Sequence, residues 1–345
     1  MEKFNFEQEN NNEALESLMG DNFNPEKTIA LEKDVDEKNQ EQPLGDYEAH
    51  WTEMINPDTG ETVEGKVYTP EGDSAKDVLI VCPGYKGDFV LQEKGYADDM
   101  CRDGRAIVFL RHNNLRTKGG DVENYVHCPQ KQETNSEYTG KGEGFDVREA
   151  NREVLTALKS LGSNIDNLDK IDIIGHSWGG MIALESLMDI AKEEGENSKK
   201  IIEKINNLIL LAATLESRPE NYEAYQSYFQ ADADKGYFKD MDAEEMVEGF
   251  KENAKDFNED NLKNLPKNIK VTSLNSMIDG DINKEEETVP FHFKLDSSTN
   301  PRLIFFQDGN YGPNEWNDKS LGGRGPEEHD YAGSEARKWL KKIIG

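Results

Sequence analysis

Short apolar runs and longer amphipathic stretches alternate along most of this chain. Ala49–Ile55 alternates apolar and polar positions, Asn56-Pro57-Asp58-Thr59-Gly60 is a turn sequence, and Thr62–Tyr68 alternates again, so the three together predict a β-hairpin. Val78-Leu79-Ile80-Val81-Cys82 is apolar at every position, the pattern of a strand covered on both faces. Helical spacing follows within Val90–Arg102, then a strand at Ala106–Leu110 and a long polar loop from about His112 to Gly144. A helix is predicted over Asp146–Leu161, strands over Lys170–Ile174, Leu208–Ala212, Ile269–Leu274 and Arg302–Phe306, and an amphipathic helix over Tyr331–Ile344. Alternating strands and helices predict an α/β fold: a mostly parallel, doubly wound sheet of about eight strands, with an antiparallel N-terminal hairpin. Residues 214–267 are polar and read as a helical cap inserted between strands.

Residues 1–45 are rich in Glu, Asn, Asp and Gln and carry too little apolar surface to offset the entropy of ordering. They read as an acidic arm, disordered or loosely attached, before an α/β domain over 46–345. Within the arm, Glu13–Met19 has the spacing of a short helix that could dock on the body or on a protein partner, or stay frayed. The net charge of −30 across 345 residues argues against nucleic acid and anionic membranes as partners. The three cysteines, Cys82, Cys101 and Cys128, form neither a disulfide framework nor a zinc motif. No metal or other cofactor is expected, and without a signal-like or membrane-spanning apolar run the expected location is the cytoplasm.

The candidate chemistry lies where the Lys170–Ile174 strand meets the next helical pattern, at Gly175-His176-Ser177-Trp178-Gly179. A serine hydroxyl is a weak nucleophile until a base takes its proton and a fixed backbone exposes it. A sharp strand-to-helix turn provides that exposure, and glycines two residues to either side remove Cβ atoms that would collide. Such a serine needs a histidine base, an acid to orient it and amide donors for the oxyanion, all from the carboxyl ends of neighbouring strands.

Of the six histidines, His329 best fits a base, because it follows the last strand in Pro326-Glu327-Glu328-His329-Asp330. His50 falls inside the hairpin, His176 inside the turn itself, and His112, His127 and His292 are less well placed. The acid should follow Ile269–Leu274, where Asp279 fits the distance past the strand end and Asp281 competes. The amides of Trp178 and of Tyr85, in Pro83-Gly84-Tyr85-Lys86-Gly87, are the candidate oxyanion donors.

This set, in the chain order Ser, Asp, His, resembles the α/β-hydrolase superfamily over residues 47–345, with an esterase, acyl-peptidase or lysophospholipase-like flavour. Pro83-Gly84 and Asn275-Ser276 stand where many members have His-Gly, and Arg111-His112-Asn113-Asn114 replaces an acidic, glycine-rich turn. The resemblance implies a serine hydrolase acting on a small-molecule carboxylic ester through an acyl-enzyme. An acyltransferase, thioesterase or aminopeptidase would use the same triad, and a binding protein on a hydrolase scaffold is the non-catalytic alternative. Tyr222, Tyr225, Tyr228, Phe229, Tyr237, Phe238, Met246 and Phe250 in the cap segment either line an acyl pocket or pin the inserted helices to the body.

Overall fold

The structure is a computed structural model that describes residues 17–20, 47–70, 75–84, 100, 104–111, 152–213, 215, 225–227, 229–230, 233–234, 242–255, 257–276, 288–306 and 334–345. Eight strands form one sheet in the order β1-β2-β4-β3-β5-β6-β7-β8. They are β1 (Tyr47–Ile55), β2 (Thr62–Pro70), β3 (Asp77–Cys82), β4 (Ala106–Arg111), β5 (Lys170–His176), β6 (Ile205–Leu211), β7 (Lys270–Ser276) and β8 (Arg302–Phe306). β2 runs antiparallel to both β1 and β4, whereas β4-β3-β5-β6-β7-β8 is parallel throughout. The turn sequence at Asn56–Gly60 closes the hairpin, with the Gly60 amide donating to the Asn56 carbonyl at 2.8 Å and φ of +76° at Gly60.

The unbroken apolar character of the central strands follows from cover on both faces. Val78, Ile80, Val108, Ile171, Ile173, Leu208, Leu210 and Val271 belong to one buried cluster. It also takes in residues of α1 (Glu153–Ser160), α2 (Trp178–Lys192) and α3 (Glu196–Lys204). Leu79, Val81, Ile107, Phe109, Ile174, Ile209, Leu211 and Leu274 belong to a second cluster, with Ala336, Leu340 and Ile344 of the terminal helix. Successive residues of each strand therefore pack on opposite sides, as the two-residue period of a strand requires. Between β6 and β7 the described residues include helical turns near 225–230, α4 (Ala243–Lys255) and α5 (Glu259–Leu262). A short α6 (Val289–Lys294) precedes β8, and α7 (Ser334–Ile344) ends the fold.

Of the helix predicted over Asp146–Leu161, the first residues lie outside the described ones; Glu153–Ser160 is α-helical and gives way to a 3₁₀ stretch at Leu161–Asn167. α3 and α6 were not anticipated, because α3 is mostly charged and α6 is under two turns long. Of the arm, residues 17–20 are described, and they dock on the body. Leu18 and Met19 are buried in the first cluster, the Ser163 hydroxyl donates to the Met19 carbonyl at 2.8 Å, and the Asn164 amide donates to the Ser17 carbonyl. Lys159 ties the surrounding layers together: its buried amine donates to Asp58 in the hairpin turn at 2.9 Å, to Glu193 after α2, and to the Ser198 hydroxyl of α3 at 2.9 Å. Burial lowers its pKa, but Glu193 and Asp58 together outweigh burial and raise it.

Candidate active site

β3, β5, β6 and β7 end along one rim of the sheet, and the β5–α2 turn stands at its centre. Ser177 occupies that turn with φ of 52° and ψ of −121°, a conformation sterically strained for a residue with a Cβ. A serine before a helix ordinarily caps it by accepting from an amide of the first turn. Ser177 makes no such side-chain bond to α2, so capping does not account for its place. Its amide donates to the Leu211 carbonyl of β6 at 2.9 Å, and its carbonyl accepts from the Gly180 amide at 3.1 Å, which fixes the turn while leaving the residue part-exposed.

The flanking glycines are required by backbone contact. A Cβ at Gly175 would lie 2.4 Å from the Gly179 carbonyl oxygen, and a Cβ at Gly179 would lie 2.3 Å from that of Pro83 and 2.4 Å from that of Cys82. All three distances are inside van der Waals contact with main-chain atoms that cannot step aside. The turn is thereby pressed against the end of β3, and a Cβ at Gly84 would meet the Ser177 Cβ at 2.8 Å. The Pro83-Gly84 end of the β3 loop thus abuts the serine.

The other thiol and imidazole groups among the described residues bear on which residue reacts. Cys82 is fully buried, and burial, with a smaller contribution from Glu153, pushes its thiol pKa well up, which keeps it neutral and unreactive. His176 is buried beneath Gly84. His50 is buried in β1, and burial lowers the pKa of half-buried His292 on α6. Trp178 is the first residue of α2, so its amide is one of the four that have no acceptor within the helix. Its indole is 2% exposed and packs on rings from the segment between β6 and β7: Phe250 edge-on at 5.5 Å and Phe229 at 6.2 Å. Phe229, Met246 and Phe250 are buried in the core, so these three pin the inserted segment to the body.

Tyr85, Asp279, Asp281 and His329 lie outside the described residues, as do His112 and His127. The strands expected to deliver them are present at the expected rim: β3 stops at Cys82, β7 at Ser276, and β8 at Phe306 ahead of α7. Among the described residues, no group of three or more His, Cys, Asp or Glu could hold a metal ion, and no helix is long and apolar enough to cross a membrane.

Sheet order, the single reversed strand β2 and a strained strand-to-helix turn after the fifth strand define the α/β-hydrolase fold. The model of the DUF900 family, described as an alpha/beta hydrolase of unknown function, matches residues 137–228, which include β5, the Ser177 turn, α2 and β6. Among solved structures the chain is similar to an esterase from Pyrobaculum calidifontis, at 15% identity and a TM-score of 0.51 over 92% of this chain and 88% of that one. It is also similar to a highly thermostable carboxyl esterase from Bacillus coagulans, at 12% identity and a TM-score of 0.50 over 87% of this chain and 99% of that one. No curated protein matches the sequence.

Proposed function

We propose that the chain is a serine hydrolase that cleaves carboxylic esters of modest size, with Ser177 as nucleophile, His329 as base and Asp279 as the acid that orients it. The observation that carries this reading is the strained, uncapped Ser177 turn, held by glycine contacts against the Pro83-Gly84 loop. Strain of about 1–3 kcal/mol persists at a turn only when its surroundings enforce it, and such positions concentrate at functional sites. The esterases of similar fold favour an ester over other acyl substrates.

In this mechanism the Ser177 oxygen attacks the ester carbonyl as His329 accepts its proton. The amides of Trp178 and Tyr85 donate to the oxyanion as charge develops on it. Collapse of the tetrahedral intermediate breaks the bond to the alcohol oxygen, which takes the proton from His329 and leaves. Water then attacks the acyl-enzyme, again passing a proton to His329, and the second collapse releases the carboxylic acid and returns that proton to Ser177. Asp279 holds the imidazole tautomer and stabilises its positive charge.

Ser177→Ala should lower turnover of p-nitrophenyl acetate by at least about 10³-fold while the cooperative unfolding transition persists. Turnover by the variant at the wild-type rate would refute the assignment.

A further inference from the structure

We infer that Phe250, Phe229 and Tyr225 are positioning residues that act through Trp178 on the Ser177 turn, so that the segment between β6 and β7 sets the rate of ester attack. This rests on the proposed role of Ser177 and extends it to the rings packed around Trp178.

A residue held at φ of 52° and ψ of −121° relaxes unless it is constrained from both sides. On one side the glycine contacts press the turn against β3. On the other, the chain enters α2 at Trp178, whose indole packs against two rings, themselves backed by a third. Phe250 meets it edge-on at 5.5 Å with an interplanar angle of 86°, and Phe229 meets it at 6.2 Å. Tyr225 closes the set, 5.1 Å from Phe250 and stacked 6.3 Å from Phe229. Tyr225 and Phe229 belong to one pair of helical turns and Phe250 to α4, so two separate elements clamp one side chain. Rings buried in this way have few alternative positions. Because the Trp178 side chain and its amide share one α-carbon, a displaced indole tilts the amide that is to meet the oxyanion. Donor geometry at an oxyanion is steeply limiting, and a misplacement of about 1 Å is worth about 100-fold in rate.

The experiment compares two leucine substitutions of buried phenylalanines. Phe250→Leu removes a ring from the clamp. Phe257→Leu removes a ring that packs on Phe291 at 6.3 Å in the same core cluster but is not a ring neighbour of Trp178. The readouts are kcat and KM with p-nitrophenyl acetate, the rate of Ser177 phosphonylation by a fluorophosphonate, and the thermal midpoint. Phe250→Leu should lower kcat and the phosphonylation rate together by about tenfold with KM within about twofold, whereas Phe257→Leu should lower the midpoint and leave both rates near wild type. Tyr225→Leu, at a part-buried position, tests the clamp where Phe250→Leu does not fold, with an expected loss of about threefold in the same two rates. If the clamp variants match Phe257→Leu in both rates, the rings are only packing and the inference fails alone. If the wild-type protein shows no Ser177-dependent turnover or labelling, the nucleophile reading fails and takes this inference with it.

Discussion

The two rims of the sheet are built on opposite terms. At the carboxyl rim the backbone is strained. Of the three non-glycine residues with positive φ among the described residues, Ser177 at 52° and Ala212 at 42° directly follow adjacent strands β5 and β6. At the amino rim, charge is buried and matched. Arg105, 1% exposed, donates to the Ile344 carbonyl at 2.9 Å and lies 3.9 Å from Asp172, which accepts from Asn207 at 2.7 Å and from Asn206 at 3.2 Å. Lys170 also donates to the Ile344 carbonyl, at 3.2 Å. Two cations thus meet the C-terminal end of α7, where unpaired carbonyls and the helix dipole favour positive charge. One rim holds conformational energy in a turn that bears a hydroxyl, and the other spends its polar groups fastening the last helix to the sheet. Substitutions should therefore separate: loss of rate without loss of stability at the first rim, loss of stability without loss of rate at the second.

The largest expected effect tests the first half of that contrast. Asp279→Asn should lower kcat for p-nitrophenyl acetate by about 10⁴-fold with an unchanged unfolding midpoint, because an amide in place of the carboxylate favours the wrong imidazole tautomer. Asp281→Asn should stay within about tenfold of wild type. The reverse ranking would move the acid to Asp281.

The second half is tested at Arg105. Arg105→Met should cost about 3 kcal/mol in urea unfolding, since it unties the Ile344 carbonyl and leaves Asp172 without its cation. The kcat of the folded fraction should not change. The loss should also depend on pH. Burial already raises the Asp172 pKa above the ordinary carboxylate value, against the pull of Asn207, Arg105 and Lys170. A carboxyl whose folded pKa lies above its unfolded value is penalised as it ionises, so stability falls as pH rises from about 4 through the folded pKa. Without Arg105 the folded pKa rises further, and the deficit of the variant should be larger at pH 7 than at pH 4. A deficit independent of pH would show that Asp172 does not respond to the guanidinium.

The same contrast explains what the sequence made legible. The six parallel strands were marked by short apolar runs, and β1 and β2 by alternating positions around a turn sequence, signals that are local and strong. The Ser177 turn was legible because close backbone approach leaves a trace in residue type: a glycine wherever a Cβ would meet a carbonyl oxygen. The amino rim left no such trace. Asp172 stands within the apolar run Ile171-Asp172-Ile173-Ile174, and its reason lies in Arg105, Asn207 and the end of α7, all distant in sequence. The aromatic residues of the inserted segment were visible, but a ring that lines a pocket and a ring that packs on the core have the same local pattern. Only the contacts with Trp178 separate the two for Phe229 and Phe250. The docking of Leu18 and Met19 was left open for a related reason, since a short amphipathic turn carries no record of the surface it meets.

The smallest expected effect is the most direct test of strain at the carboxyl rim. Glycine reaches positive φ without the Cβ clash that serine suffers, so Ser177→Gly should relieve the turn. The unfolded chain works against it, because glycine has more freedom to lose on folding. The native strain is about 1–3 kcal/mol and the entropic offset about 0.5–1 kcal/mol, which leaves a net gain of about 1 kcal/mol in urea unfolding. Stability would rise at the position where ester turnover disappears. A loss of stability in Ser177→Gly would mean that the turn is relaxed as it stands, and the contrast between the rims would then rest on the buried charges alone.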